Sequence, residues 1–474
     1  MKNIIGPTLF ITALVFMVSG CGSIDEQISK GRYNMARKQI DRKILSGDIT
    51  PLERVELENK KEIMRRIEID FNKTLDEILP HIRQYYPEVT SRQIKEWEKS
   101  RALEKMNING KDRYFARAAQ NLFRIDPEAR QQKIRVDGEI KDNLELFLEQ
   151  DIPRIMKEVK ASGSVTGKPV KMEFTYTLTV PPDAVPPGEI LRCWLPFPRE
   201  GNVRQTDIEF ISANCDDFII APNSALQRTV YMQKPAVSGE PTVFQIAFST
   251  TNKPQWFDLE NIRILPYQKD TELYRHYTAE RAPHLLFTPA LKALSAEIVG
   301  EEKDPYLIVK SIFDYINDHY PWASAREYST IDNIPDYVIE HKHGDCGQVT
   351  LLFMALARYN GIPARWQSGW MLHPGSKNLH DWCEIYFEGL GWVPVDQSFG
   401  RRKTDNKDIN WFYLGGMDAY RLIVNDDYAM PLFPEKHYLR SETNDFQRGE
   451  VEWRGGNLYF GEWRYSLDIK YLNH

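Results

Sequence analysis

His343-Gly344-Asp345-Cys346-Gly347-Gln348, followed by the apolar run 349–359, is the stretch on which the fold turns. Val349, Leu352, Phe353, Leu356 and Ala357 recur at helical spacing and make one apolar face. Gly361 and Pro363 then stop the helix. The pattern predicts Cys346 at a helix N-terminus. Free N–H groups and the helix dipole at that position favour thiolate over thiol, so Cys346 reads as a nucleophile. Gly344 and Gly347 let backbone and ligand approach the sulfur.

Downstream, His380-Asp381-Trp382-Cys383-Glu384-Ile385-Tyr386-Phe387 alternates as a half-buried strand. Glu388-Gly389-Leu390-Gly391 reads as a turn and Trp392-Val393-Pro394-Val395-Asp396 as a second strand. A hairpin turning at Glu388 sets His380 and Asp396 roughly opposite each other, where cross-strand side chains meet; the sequence does not fix that register. Together the three residues suit thiol chemistry on a carbonyl. Cys346 attacks, His380 takes and returns the proton, and Asp396 orients the imidazole.

Gly344-Asp345-Cys346, Gly361-Ile362-Pro363-Ala364-Arg365, His380-Asp381-Trp382 and Gly391-Trp392-Val393-Pro394-Val395-Asp396 together resemble the transglutaminase-like superfamily, over roughly residues 300–400. The resemblance implies a papain-like core with a Cys-His-Asp triad in this chain order, carried here by Cys346, His380 and Asp396. The chain departs from the pattern at Cys383, where a small apolar residue is usual. Trp322 and the Cys346 backbone N–H are the candidate oxyanion donors. Gln348 and Trp382 are candidate substrate-lining residues. No metal or organic cofactor is required. His341, His343, Cys346 and His380 are zinc-type ligands, but His341-x-His343 lacks a second spaced pair. The rival class is a degenerate core that binds without catalysis.

The rest of the chain frames this core. A length of 474 residues suggests two to four domains, and 42% hydrophobic and 12% aromatic content suffices for real cores. A formal charge of −6 argues against a nucleic-acid partner. Lys2, the apolar segment 4–18 and Val18-Ser19-Gly20-Cys21 resemble a bacterial lipoprotein signal with Cys21 as the acylated residue. Residues 1–20 are then a cleaved signal peptide, and the protein is expected to be exported and lipid-anchored in the cell envelope, at the outer membrane or periplasmic face.

Residues 21–163 read as a helical region without catalytic residues, with helices over 32–45, 52–71, 90–103, 113–123 and 133–159, the last interrupted at Pro153. Thr50 and Pro51 suit the N-cap and first position of the second helix. Short alternating runs over 166–252, punctuated by Pro and Gly, predict a β-sandwich, in which Cys193 and Cys215 could pair as a disulfide. The catalytic core is placed at 255–400, with a helix over 305–320 capped by Asp304 beside the Cys346 helix. A β-rich extension, 401–474, completes an α+β multidomain chain. Its aromatics Trp411, Tyr413, Trp453, Tyr459, Phe460 and Trp463 read as sheet packing rather than a binding platform. The expected substrate is a protein or peptide, cell-wall peptide included. The triad is common to amide hydrolysis and amide transfer and does not separate them.

Overall fold

The computed structural model describes residues 22–139, 142–402, 404 and 406–472. The expected signal peptide, residues 1–20, and Cys21 lie outside the described residues. The N-terminal helices are α1 (Ile24–Ser29), α2 (Tyr33–Ser46), α3 (Pro51–Asp70), α4 (Leu75–Arg83) and α5 (Ser91–Lys99). A hairpin of β1 (Lys105–Ile108) and β2 (Lys111–Tyr114) follows, then α6 (Ala118–Ile125) and α7 (Pro127–Asp137). Thr50 closes a capping box at the start of α3: Glu53 N donates to Thr50 Oγ1 at 3.1 Å and Thr50 N to Glu53 Oε2 at 2.9 Å. Tyr33, Ile40, Met64, Ile82 and Leu122 make a core belonging to this module alone.

Two expectations for this region are corrected. Arg113 and Tyr114 belong to β2, paired with Met106 and Lys105, so the helix expected over 113–123 starts only at Ala118. The break in the stretch 133–159 falls at Gly138, which caps α7 with φ 82°, and not at Pro153. Helix α8 (Asn143–Ser162) runs through Pro153, and its Leu148, Ile152, Ile155 and Val159 pack into the main core rather than the N-terminal one.

The next segment supplies β3 (Val170–Val180), β4 (Ile190–Pro196), β5 (Gln205–Ala213), β6 (Phe218–Ile220), β7 (Thr229–Pro235), β8 (Thr242–Asn252) and β9 (Gln255–Trp256). Strand β3 shows the two-residue period plainly: Met172, Phe174, Tyr176, Leu178 and Val180 are buried and the residues between are half-buried. Then come α9 (Glu272–Thr278), α10 (Pro289–Val299), α11 (Pro305–His319), α12 (Ile334–His341), α13 (Cys346–Tyr359), β10 (Ala364–His373), β11 (Ser376–Phe387), β12 (Gly391–Val395), α14 (Lys407–Asn410), β13 (Gly416–Met417), β14 (Arg421–Asn425), β15 (Glu450–Trp453), β16 (Gly456–Leu458) and β17 (Arg464–Tyr471). Asp304 Oδ1 accepts from the Tyr306 and Leu307 amides, the N-cap expected of α11.

An antiparallel sheet ordered β12-β11-β10-β14 carries α13 on one face. That helix is buried all round from Gly347 to Arg358 and packs on α11, α12 and the sheet. Trp370 and Leu372 of β10 lie further along the same face, beyond α13, and enter the sandwich core, where Trp370 stacks on Tyr176 with centroids 4.9 Å apart. The sandwich consists of a β16-β15-β4-β7-β6 sheet and a β17-β3-β8-β5 sheet. The segment 401–474 is therefore not a separate extension: β14 completes the sheet that carries α13, while β15 and β17 pair with β4 and β3. Without those partners β3 and β4 would present unpaired edges. No described helix is long and apolar enough to cross a membrane.

Glycine at position 369 is a condition of the central sheet. A Cβ there would lie 1.9 Å from Leu422 O and 3.0 Å from Val424 N, both rigid backbone atoms of β14. We expect Gly369→Ala to push β14 off β10 and to lower the thermal midpoint by many degrees or abolish soluble expression, read by differential scanning fluorimetry; an unchanged midpoint would contradict this packing.

Candidate functional site

Cys346 is the first residue of α13, and Asp345 caps it. Gln348 N donates to Asp345 Oδ1 at 3.0 Å, and Asp345 N donates to Gln348 Oε1 at 3.3 Å. This reciprocal cap uses the Gln348 side chain, which is fully buried, so Gln348 does not line an opening as expected. Tyr328 Oη also donates to Asp345 Oδ1, at 2.6 Å. The helix start is pressed closely against its surroundings. A Cβ on Gly347 would lie 2.3 Å from Tyr328 Oη and 2.7 Å from Asp381 Oδ2. Trp322 bridges to Gly344 in parallel register, and Ala323 N donates to Gly344 O at 3.0 Å.

His380 and Asp396 meet, though not in the register expected. Phe387 pairs with Gly391 and Cys383 with Val395, because the turn 388–390 closes between Gly389 and Gly391, each at φ 88°. Asp396 thus falls opposite Trp382, diagonal to His380 on the same face. His380 Nε2 still lies 2.8 Å from Asp396 Oδ2, and among the described residues no group hydrogen-bonds Nδ1. Asp396 Oδ1 accepts from Phe399 N at 3.1 Å, and the Phe399 ring meets the imidazole edge-on with centroids 5.0 Å apart.

A buried cation stands behind the pair. Arg421 Nη2 donates to Asp396 Oδ2 at 3.1 Å, while its Nη1 reaches Asp418 Oδ2 and His373 Nε2, each at 3.1 Å. Burial works against the charged form of Asp396, yet His380 and Arg421 outweigh it and hold the carboxyl below its ordinary range. Asp418 is held well below the carboxylate range by Arg421 and His373 against the same burial.

The sulfur bonds elsewhere. Cys346 Sγ donates to Asp381 Oδ2 at 3.4 Å rather than to His380, and Gln447 Nε2 donates to Asp381 Oδ1 at 2.7 Å and to His380 O at 2.9 Å. Alternation along β11 explains this. Asp381 and Cys383 face α13, while His380 and Trp382 face the opposite side. The expectation of a favoured thiolate is corrected for this arrangement: burial pushes the Cys346 thiol up, and the Asp381 and Asp345 carboxylates add to it. Burial likewise pushes Asp345 up to about 6.

The remaining candidates are distributed as follows. Trp322 is 45% exposed and lies under the Arg124 guanidinium, 4.7 Å from its ring centroid. Trp382 is fully buried, with Nε1 donating to Gln367 Oε1 at 2.9 Å, so it supports His380 from behind, its ring centroid 5.9 Å away, rather than lining a cleft. Cys193 and Cys215 are both free thiols. Cys193 is buried in the sandwich core, and Cys215 Sγ donates to Asp217 O at 3.3 Å, so the anticipated disulfide is absent between them. His341 bonds Tyr337 O and His343 packs against Tyr337, and no group of three or more His, Cys, Asp or Glu among the described residues is placed to hold a metal. Sequence reasoning missed Asp381, Tyr328, Gln447 and Arg421. Asp381 carried a signal, being a charge beside His380 at a position that alternation turns toward the helix. The others lie in distant segments.

A buried helix opening on a cysteine, laid on an antiparallel sheet that joins a histidine to an aspartate, defines a thiol-site α+β core. Residues 292–397 match the transglutaminase-like superfamily model, so this stretch is a transglutaminase-like domain. The uncharacterised YebA protein of Bacillus subtilis is 25% identical over 169 residues, 32% of this chain and 23% of that protein, so the match spans under a quarter of it. An uncharacterised protein of Haemophilus influenzae is 24% identical over 322 residues, covering 58% of this chain and 84% of its own. Among solved structures, a proposed cysteine protease from Cytophaga hutchinsonii covers 65% of this chain and 93% of its own at TM-score 0.44 and 15% identity. The periplasmic domain of TgpA from Pseudomonas aeruginosa covers 47% and 87% at TM-score 0.27 and 14% identity.

Two substitutions test the electrostatics. Asp381→Asn removes a carboxyl that, in its ionised form, raises the Cys346 thiol. The thiol should then titrate lower, and at any pH below it the thiolate fraction rises about tenfold for each unit gained. Iodoacetamide labelling of Cys346 at neutral pH should accelerate several-fold; an unchanged rate would mean that Asp381 exerts no charge on the sulfur. Arg421→Met leaves Asp396 and Asp418 as buried carboxylates with an imidazole each and no guanidinium, and should cost about 3–5 kcal/mol of folding stability. Urea unfolding measures this, and adding Asp418→Asn should recover part of the loss.

Proposed function

We propose that this protein is a cysteine-dependent enzyme acting on amide bonds of a protein or peptide, cell-wall peptides included. The observation that carries the reading is the 2.8 Å pairing of His380 with Asp396 on the strand that runs past the start of the Cys346 helix. A histidine held by a buried carboxylate, with its second ring nitrogen unbonded, is equipped to exchange a proton with a thiol. In the proposed reaction His380 takes the Cys346 proton as the sulfur bonds to the amide carbonyl carbon. The C–N bond then breaks, the leaving amine receives that proton, and a thioester remains. Water releases an acid, or a second amine forms a new amide; either route returns the thiol. The Cys346 N–H, unsatisfied at the helix start, and the exposed Trp322 are the groups offered for the oxyanion. Trp382 and Gln348, being buried, are not included as substrate contacts. Within this reading the Cys346–Asp381 hydrogen bond is a resting arrangement that substrate must displace.

Val18-Ser19-Gly20-Cys21 places the protein, in the same proposal, as an exported lipoprotein anchored through Cys21 in the cell envelope, without a nucleic-acid partner. One observation favours a second reading. A thiol pushed up by burial and bonded to a carboxyl suits a core that binds peptides without cleaving them.

Peptide-resolved alkylation against pH, on the wild type and His380→Ala, decides between the two. Mass spectrometry separates Cys346 from Cys193, Cys215 and Cys383. The enzyme reading expects labelling of Cys346 that falls at least tenfold on His380→Ala. Labelling indifferent to His380 overturns it in favour of the binding core. Peptides offered with and without an amine acceptor then distinguish acid from amide products.

A further inference from the structure

The loop 322–330 lies against the start of the Cys346 helix and is held there from two sides. On the inner side Trp322 bridges Gly344, and Tyr328 Oη donates to Asp345 Oδ1. On the outer side the partners come from the N-terminal helices. Asn121 of α6 makes a two-way pair with Ser324: its Nδ2 donates to Ser324 O and its Oδ1 accepts from Ser324 N, both at 2.9 Å. Arg124, almost one turn further along α6, donates to Ser324 Oγ at 2.9 Å and covers the Trp322 ring. Asp70, the last residue of α3, accepts from Glu327 N at 2.8 Å. Arg66, fully buried in the middle of the contact, donates to Ser329 Oγ at 2.9 Å and to Leu439 O at 3.4 Å.

These contacts are unlike those of a spacer. Asn121 is 2% exposed and Arg66 0%. A buried amide or guanidinium is costly unless its partners are in place. Here Asn121 bonds the main chain of the loop, Arg66 bonds Ser329 of the loop together with Glu62 of its own helix and the Leu439 carbonyl, and the loop's own amides bond the module in return. The module thus supplies the bonds on one whole side of the loop.

We propose that the N-terminal helical module is a working part of the site: it sets the conformation of loop 322–330, and through it the placement of Trp322 and Tyr328 at the Cys346 helix start, with Asn121, Arg124, Asp70 and Arg66 as positioning residues. The effect on chemistry rests on the reading of Cys346 as a nucleophile; the effect on the loop does not.

Hydrogen exchange by mass spectrometry on the full chain tests the loop directly, and Cys346 alkylation on the same samples tests the site. Asn121→Ala should speed exchange of amides in 322–330 and 344–346 at least tenfold, leave peptides from α2 and α3 unchanged, and alter the Cys346 labelling rate at least threefold. Asn121→Asp, which keeps the acceptor for Ser324 N, should lie between the wild type and Asn121→Ala. Arg92→Ala, on an exposed surface away from the loop, should change nothing. If Asn121→Ala unfolds the module, the half-buried Arg124→Ala carries the test with the same expectations. Unchanged exchange in 322–330 in a folded variant overturns the proposal, as does a loosened loop with Cys346 labelling at the wild-type rate. Loss of the His380 effect on labelling would sink the enzyme reading while leaving the exchange result standing.

Discussion

Helix α13 is buried on every side, and a buried helix has no water to satisfy the amides of its first turn. Everything around Cys346 answers that constraint. Asp345 accepts from Gln348 N, Gln348 returns the bond to Asp345 N, and Tyr328 steadies the same carboxyl. A carboxylate is a good cap because it meets the positive end of the helix dipole. It also sets a negative charge one residue from the sulfur. With Asp381 on the other side, the cap and the strand together oppose the thiolate that the helix end alone would favour, and burial adds to them. The dipole of a helix end contributes about 0.3–1 kcal/mol. That is less than a single unit of pKa, so burial and two carboxyls decide the outcome.

Strand β11 divides the site into two polar territories with different logic. The His380 side holds His380, Asp396, Arg421, Asp418 and His373, in which each carboxylate has a cation or imidazole beside it. Both acids there are held low, and the pair is fixed in charge and in orientation. The Asp381 side gathers acids with fewer counter-charges. Burial pushes Asp381 well above the ordinary carboxylate range, with Asp445 and Asp345 adding to it, and pushes Glu442 up to about 8, Arg448 opposing. One face is thus an ordered charge network, and the other is a place where protons are readily held. The Cys346 sulfur is bonded to the second.

The residues legible in the sequence were those whose local pattern and chemistry coincide. The 3.6-residue period gave α13 its start and end, Asp304-Pro305 and Thr50-Pro51 gave two helix starts, and the alternation of 170–180 gave β3 to the residue. His380 and Asp396 were found because a hairpin keeps its two ends together even when its register is off by two. Long-range pairing was invisible for the same reason that local pattern was clear. Nothing in Arg464 to Tyr471 says that it pairs with β3 nearly three hundred residues earlier, and nothing in Arg421 says that it will stand behind Asp396. The helix break was misplaced because Pro153 is a stronger sign than Gly138, yet a proline already inside a long packed helix can be carried by its burial.

The interleaving of the chain has a consequence for how the parts can move. β14 enters the sheet that carries α13, the 441–448 segment crosses beside β11, and only then do β15 and β17 close the two sandwich sheets. Gln447 shows the coupling at atomic scale: its side chain holds His380 O and Asp381, while its carbonyl accepts from Nε1 of Trp370, whose ring lies in the sandwich core. Sliding the sandwich against the core would break those bonds in a buried setting, at a cost of about 1–3 kcal/mol for each group left unpaired. The contact with the N-terminal helices is of another kind. It joins residues that are far apart in sequence through side chains, reaching α12 at Tyr337, Glu340 and His341 and the loop 322–330 beside the Cys346 helix start. The two junctions thus meet the sulfur from different sides, the first through Gln447 and Asp381 and the second through Tyr328 and Asp345.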